Sequence, residues 1–142
     1  MAYATVADLI AAFGEQEVTV LTDREDAGAV DSTVALEALE RASSEADTYI
    51  AARYALPLSS VPQALVAVVC DIARYRLTGG EVTESTPIAD RYKAAVSWLK
   101  DVAAGRAVLP GVAATAPGGE GGVEFDTGRR AFARSAAPDE DE

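Results

Sequence analysis

The sequence contains no histidine and a single cysteine, Cys70. Without histidine the commonest general base and the commonest metal ligand are both missing. One cysteine cannot form a disulfide within the chain, and the two scarcities together exclude a Cys/His zinc centre. Aromatic residues are also scarce, at 6% against 49% apolar residues overall. Much of the apolar material is Ala and Val, which suits small-residue helices packed closely together. Bases are few as well: 12 Lys and Arg stand against 23 Asp and Glu, for a net charge of −11. Affinity for phosphates comes largely from Lys and Arg displacing counterions, so sequence-specific DNA binding is not expected. A surface past which DNA slides without sticking is compatible with the same charge. The longest uninterrupted apolar run, Ala64 to Cys70, falls far short of the ~20 residues that cross a bilayer. The first residues, Met1-Ala-Tyr-Ala-Thr5, offer neither a basic start nor an apolar segment, so a signal peptide is not expected. The protein is expected to be made in a cytoplasm and to engage no membrane.

What the chain does contain is helix punctuation. Thr5 and Asp8 have capping-box spacing, with Asp in the place of Glu. They open a helix with Val6, Leu9, Ile10 and Phe13 on one face, which Gly14 can end. Glu15–Leu21 is ambiguous between strand and short helix, since Val18 and Val20 alternate with polar residues. Thr22–Val30 reads as a loop. Asp31 is a good N-cap for a long helix to about Tyr54, with Leu36, Leu39, Ala46 and Ile50 on one stripe. Ser60-Val-Pro-Gln63 resembles a second capping box, leading a helix from Pro62 to Leu77 that is apolar nearly all round. A helix of that kind belongs at the centre of its domain. Thr86-Pro87 restarts the chain, and Ile88, Tyr92, Ala95, Val96, Leu99, Val102 and Ala103 share one face before Gly105. The expected fold is therefore all-α: a small bundle of three main helices plus a short N-terminal helix, with an extended C-terminal arm. The expected divisions are a helical domain over 1–110, a Gly/Pro-rich linker over 111–122 and an arm with an acidic end over 123–142.

Catalytic and metal-binding chemistry finds little support. Lys93 and Lys100 fall on the polar face of the last helix, as solvated charges do. Asp23-Arg-Glu-Asp-Ala-Gly28 only faintly resembles a calcium loop, because its fifth position is Ala27 and its twelfth Val34. Gly118-Gly-Glu-Gly-Gly122 lacks the Lys-Ser/Thr of a phosphate loop and reads as a linker. Cys70, on the most apolar helix, reads as an inert core residue. Trp98 flanks an amphipathic helix, as either an interface residue or a core edge. No enzymatic activity, cofactor or metal is expected. Arg53 falls within an apolar stripe and is expected to snorkel or to pair with Asp71 or Asp47, while Arg53, Asp71 and Arg74 are together candidates for ion pairs between helices or between subunits. The segment Val123–Arg134 is too apolar and too basic to be only a spacer. Phe125 and Phe132, with Arg129, Arg130 and Arg134, are the candidate contacts of an arm that orders on a partner.

Several segments resemble the Mu-like phage neck protein family. They are Met1-Ala-Tyr-Ala-Thr-Val-Ala-Asp-Leu9, Phe13-Gly14, Leu21-Thr-Asp-Arg24, Tyr49-Ile-Ala-Ala-Arg-Tyr-Ala-Leu-Pro-Leu58 and Val61-Pro62. Cys70-Asp-Ile-Ala-Arg-Tyr-Arg-Leu77, Arg91-Tyr92, Trp98-Leu-Lys-Asp101 and Gly128-Arg-Arg-Ala-Phe-Ala-Arg134 continue the resemblance in order. The acidic Pro138–Glu142 ending departs from it. The resemblance implies a head–tail connector, also called an adaptor or head completion protein, located in the virion neck and made in the host bacterium. It further implies a dodecameric ring below the portal protein that extends the DNA channel, passes DNA without specific binding and presents a platform to the next neck or tail protein. In such a ring Glu37, Glu40, Glu45 and Asp47, or the Thr22–Asp31 loop, are the candidate channel-facing groups, since cationic side chains there would grip DNA. The alternative is a soluble acidic regulatory or DNA-mimicking protein, which should gather its carboxylates into one dense patch.

Overall fold

The computed structural model describes residues 2–79 and 86–115. Within them lie five helices: α1 (Val6–Phe13), α2 (Glu15–Thr22), α3 (Ser32–Ile50), α4 (Gln63–Leu77) and α5 (Pro87–Ala104). No strand occurs among the described residues. The linker residues 116–122 and the arm, including Phe125, Arg129, Arg130, Phe132 and Arg134, lie outside the described residues.

Each helix begins where its sequence supplies a reason. Thr5 closes a full capping box: its hydroxyl accepts the Asp8 N–H, and the Asp8 carboxylate accepts the Thr5 N–H. The Asp31 carboxylate accepts from the N–H groups of Thr33 and Val34 at the head of α3. Thr86 caps α5, with Pro87 in the first turn where its missing N–H costs nothing. Gly105 ends α5 at φ 82°, a left-handed conformation that a side chain would resist.

The ambiguous Glu15–Leu21 segment is helical, as α2. Gly14 turns the chain between α1 and α2 at φ 90°, ψ 148°, outside the usual left-handed well. The second capping box does not form. Pro62 is the N-cap of α4 without a side-chain bond, and the Ser60 hydroxyl donates to the carbonyl of Gly111 instead. α3 stops at Ile50 rather than near Tyr54, and the chain then turns through Ala51–Arg53.

α4 packs against α3, α5, α1 and α2, which makes it the centre of the domain. Its buried face is Leu65, Val69, Cys70, Ile72 and Ala73, while Ala64 and Ala67 are exposed. The partner face of α3 is Ala35, Ala38, Leu39, Ala42, Ser43, Ala46 and Ile50. Leu36 sits at the edge of that arc and remains 43% exposed, contrary to the expected stripe. Four alanines let the backbones of α3 and α4 approach closely, which a leucine-rich face would prevent. α5 adds Ala89, Ala95, Leu99 and Val102. Trp98 packs partly buried against this core, and Leu109 closes it from beyond α5. The Leu109 N–H donates to the Tyr54 hydroxyl at 2.9 Å.

Candidate functional site

The four α3 carboxylates divide into two kinds. Glu45 and Asp47 lie on opposite flanks of the buried arc and work inside the fold. Glu45 accepts from Arg76 of α4, with Nε at 3.2 Å, and from the Tyr92 hydroxyl of α5 at 2.9 Å. Asp47 accepts from the Tyr3 hydroxyl, and the Tyr3 N–H donates to Ser43 Oγ at 2.9 Å. These bonds tie the N-terminus to the middle of α3. Burial and the neighbouring carboxylate push the Tyr3 phenol far above its ordinary range. Burial and Glu45 push Tyr92 up to about 12. Tyr92 also stacks on Tyr75 with ring centroids 4.1 Å apart. Glu37 and Glu40 are exposed, and among the described residues Glu37 pairs only with Arg41, one turn along the same helix.

The sequence-predicted ion-pair residues find other partners than each other. Arg74 binds Glu17 of α2 at 2.5 Å and lies over the Phe13 ring of α1, 4.4 Å from its centroid. One guanidinium thus holds α1, α2 and α4 together. Asp71 faces Arg91 of α5 at 3.9 Å. Burial raises the Asp71 carboxyl above its ordinary range, against the opposing pull of Arg91 and Arg74. Arg53 joins neither Asp71 nor Asp47. Its guanidinium lies over Gly105, where a Cβ would meet Cζ at 2.8 Å. That places a cation at the C-terminal end of α5, where the helix dipole favours it.

Asp23 holds its own loop. Its carboxylate accepts from the N–H groups of Ala27 at 2.9 Å and Gly28 at 2.7 Å, and these bonds lower its pKa. Among the described residues, no group of three or more His, Cys, Asp or Glu could hold a metal ion. No described helix is long and apolar enough to cross a membrane. Cys70 is buried, and burial pushes its thiol up to about 12, which leaves it protonated at neutral pH. Lys93 and Lys100 are exposed.

Two surface features were not visible in the sequence. Val20 on α2 is 77% exposed and Val108, just past α5, is 67% exposed. Among the described residues α2 and α5 do not touch, because α3 and α4 stand between them. The second feature is a cleft of about 360 Å³ where α3 meets the end of α4. Arg24, Arg41 and Arg76 line it against one carboxylate, Glu37. These arginines come from a loop, α3 and α4, so no local motif could have announced the cluster.

The family model described as Bacteriophage Mu, Gp36, matches residues 3–126. "Gene product J" of Escherichia phage Mu is 38% identical over 138 residues, covering 94% of this chain and 96% of that protein. The "Mu-like prophage FluMu protein gp36" of Haemophilus influenzae is 38% identical over 80 residues, covering 56% of this chain and 55% of that protein. The partners described above fall largely inside the matched span, from Tyr3 through Arg106. The chain therefore belongs to the Bacteriophage Mu Gp36 family, a protein family of Mu-like phages.

Proposed function

We propose that this chain is a structural protein of a Mu-like phage particle. In this reading it is a head–tail connector, whose copies form a dodecameric ring below the portal, extend the DNA channel and seat the next neck or tail protein. The observation that carries the reading is the family match, which runs through the whole helical domain and past residue 122 into the arm. The surface supports it. A ring of identical subunits needs two different contact faces on each copy. Exposed Val20 lies on α2 and exposed Val108 just past α5, and these two helices do not touch among the described residues, as two separate faces would require. With Glu45 and Asp47 engaged inside the fold, Glu37, Glu40 and the carboxylates of the loop at 23–31 are the candidates left to face a channel, where they would have to outweigh Arg24 and Arg41 beside them. The arm supplies the remaining contact: Phe125 and Phe132 as apolar anchors, with Arg129, Arg130 and Arg134 meeting carboxylates on a neighbour or on the portal.

The test is assembly on the purified portal, followed by light scattering and imaging of the complex. The intact chain should associate weakly alone and form a ring on the portal. Val20→Asp and Val108→Asp should each keep the helical far-UV signal and lose the ring. Deleting residues 118–142 should do the same. A ring with a basic lumen, or a stable isolated dimer indifferent to the portal, would overturn the reading.

A further inference from the structure

The arginine cleft is a cationic notch on a strongly acidic chain, with three arginines set against the carboxylates of Glu37 and Glu45. Arg24 makes no hydrogen bond or ion pair with a described residue. Among the described residues Arg41 pairs with Glu37, and the two side chains are 68% and 60% exposed. Exposed pairs of this kind hold weakly and exchange partners readily. Arg76 is anchored by Glu45, which fixes one guanidinium at the cleft wall. Beside it Tyr75 is held in place by its stack on Tyr92. The cleft therefore presents one guanidinium with no partner among the described residues, one in an exposed pair and one positioned group, at a site suited to an acidic peptide.

We propose that the chain's own acidic end, Asp139-Glu-Asp-Glu142, docks in this cleft. Charge complementarity is the first argument, since four consecutive carboxylates meet Arg24, which has no partner among the described residues, and the exposed, weakly paired Arg41, beside Arg76. Reach is the second. The described chain ends with the Thr115 hydroxyl donating to the carbonyl of Arg53 at 3.0 Å, beyond the C-terminal end of α3. The cleft takes its α3 residues from the other half of that helix, Val34 to Arg41. At ~1.5 Å per residue the separation is roughly 20–25 Å. From Thr115 to Asp139 the chain advances 24 residues, with Pro117 and four glycines among the first seven after Thr115. A flexible chain of that length has a root-mean-square span of at least roughly 25–30 Å. A tether whose natural span matches the gap gives the highest effective concentration of its end, which favours docking on the same molecule. The contact needs no ring and belongs to the isolated monomer.

The experiment compares amide spectra of the full chain and of a chain ending at Pro138. Truncation should move the signals of Arg24, Arg41, Arg76 and Gly79 and leave those of Lys93 and Lys100 in place. Raising NaCl to about 0.5 M should remove most of the difference, because the Debye length then shrinks to a few ångströms. A peptide of residues 135–142 added to the truncated chain should restore the original positions. Arg24→Gln with Arg41→Gln, both on exposed side chains, should abolish the effect of truncation while the rest of the spectrum stays folded. Unchanged spectra on truncation would overturn the proposal. A difference that grows over a tenfold range of protein concentration would also overturn it, in favour of the tail of a second copy.

Discussion

The two sides of the α3–α4 pair are held by the same kinds of contact in different proportions. Toward α5 a broad apolar contact of small groups carries the packing, with Ala42, Ala46, Val69, Ile72, Ala95, Leu99 and Val102 all nearly or fully buried and the Tyr92–Glu45 and Arg91–Asp71 links added to it. Toward α1 and α2 the apolar contact is thinner, and specific polar links reinforce it. Tyr3 bonds Ser43 and Asp47, Arg74 spans Phe13 and Glu17, and buried Thr22 joins α2 to the head of α3. The Thr22 hydroxyl donates to the Val18 carbonyl at 2.8 Å and accepts the Asp31 N–H at 3.1 Å. Close packing gives stability without direction, whereas directed bonds set where the N-terminal layer sits.

The comparison can be broken hardest at the centre. Leu39→Ala should cost about 2–5 kcal/mol in chemical denaturation, as buried leucine truncations do, and should lower the whole domain in one transition. Thr22→Val keeps the shape but strands the Asp31 N–H, for an expected loss of about 1–3 kcal/mol. Hydrogen exchange should show the loss first at Asp31 and the start of α3; uniform loss of protection would mean the N-terminal layer is not a separate unit. Arg74→Gln removes an ion pair and a cation–π contact that are both partly solvated, so roughly 1 kcal/mol is expected. Adding Glu17→Gln should then cost little more, since the two residues share one interaction.

The smallest effect concerns pH. Burial raises the folded pKa of Asp71, so its ionised form weakens the native state. The penalty is absent below the ordinary carboxylate value and grows as pH rises through the raised one. Asp71→Asn should therefore increase the urea midpoint at pH 7 and leave it unchanged near about pH 3. A variant less stable than the parent at pH 7 would show that the pair with Arg91 outweighs desolvation.

How legible each part was follows from how far apart its determinants lie in the chain. The Thr5, Asp31 and Thr86 caps and the Gly105 stop are local chemistry, readable within four residues. The ambiguity of Glu15–Leu21 was also local: alternating Val18 and Val20 fit a strand, and burial of Val18 against the core with Val20 left in solvent decided for a helix. The Ser60 box failed because its hydroxyl found Gly111, 51 residues away. The same reason kept Arg74–Glu17, Tyr3–Asp47 and the arginine cleft out of reach.

The sequence by itself determined that the protein is helical and where most helices start and stop, because caps, prolines and glycines act on neighbouring backbone groups. It also determined the acidic balance and the scarcity of histidine and cysteine. Only the tertiary structure decided which carboxylates are spent inside the fold and which remain for partners. It alone turned Leu36 to the rim, set Arg53 against the end of α5 and brought Arg24, Arg41 and Arg76 to one cleft. Those outcomes depend on how helices dozens of residues apart are rotated against each other, and small side chains at their crossing set that rotation.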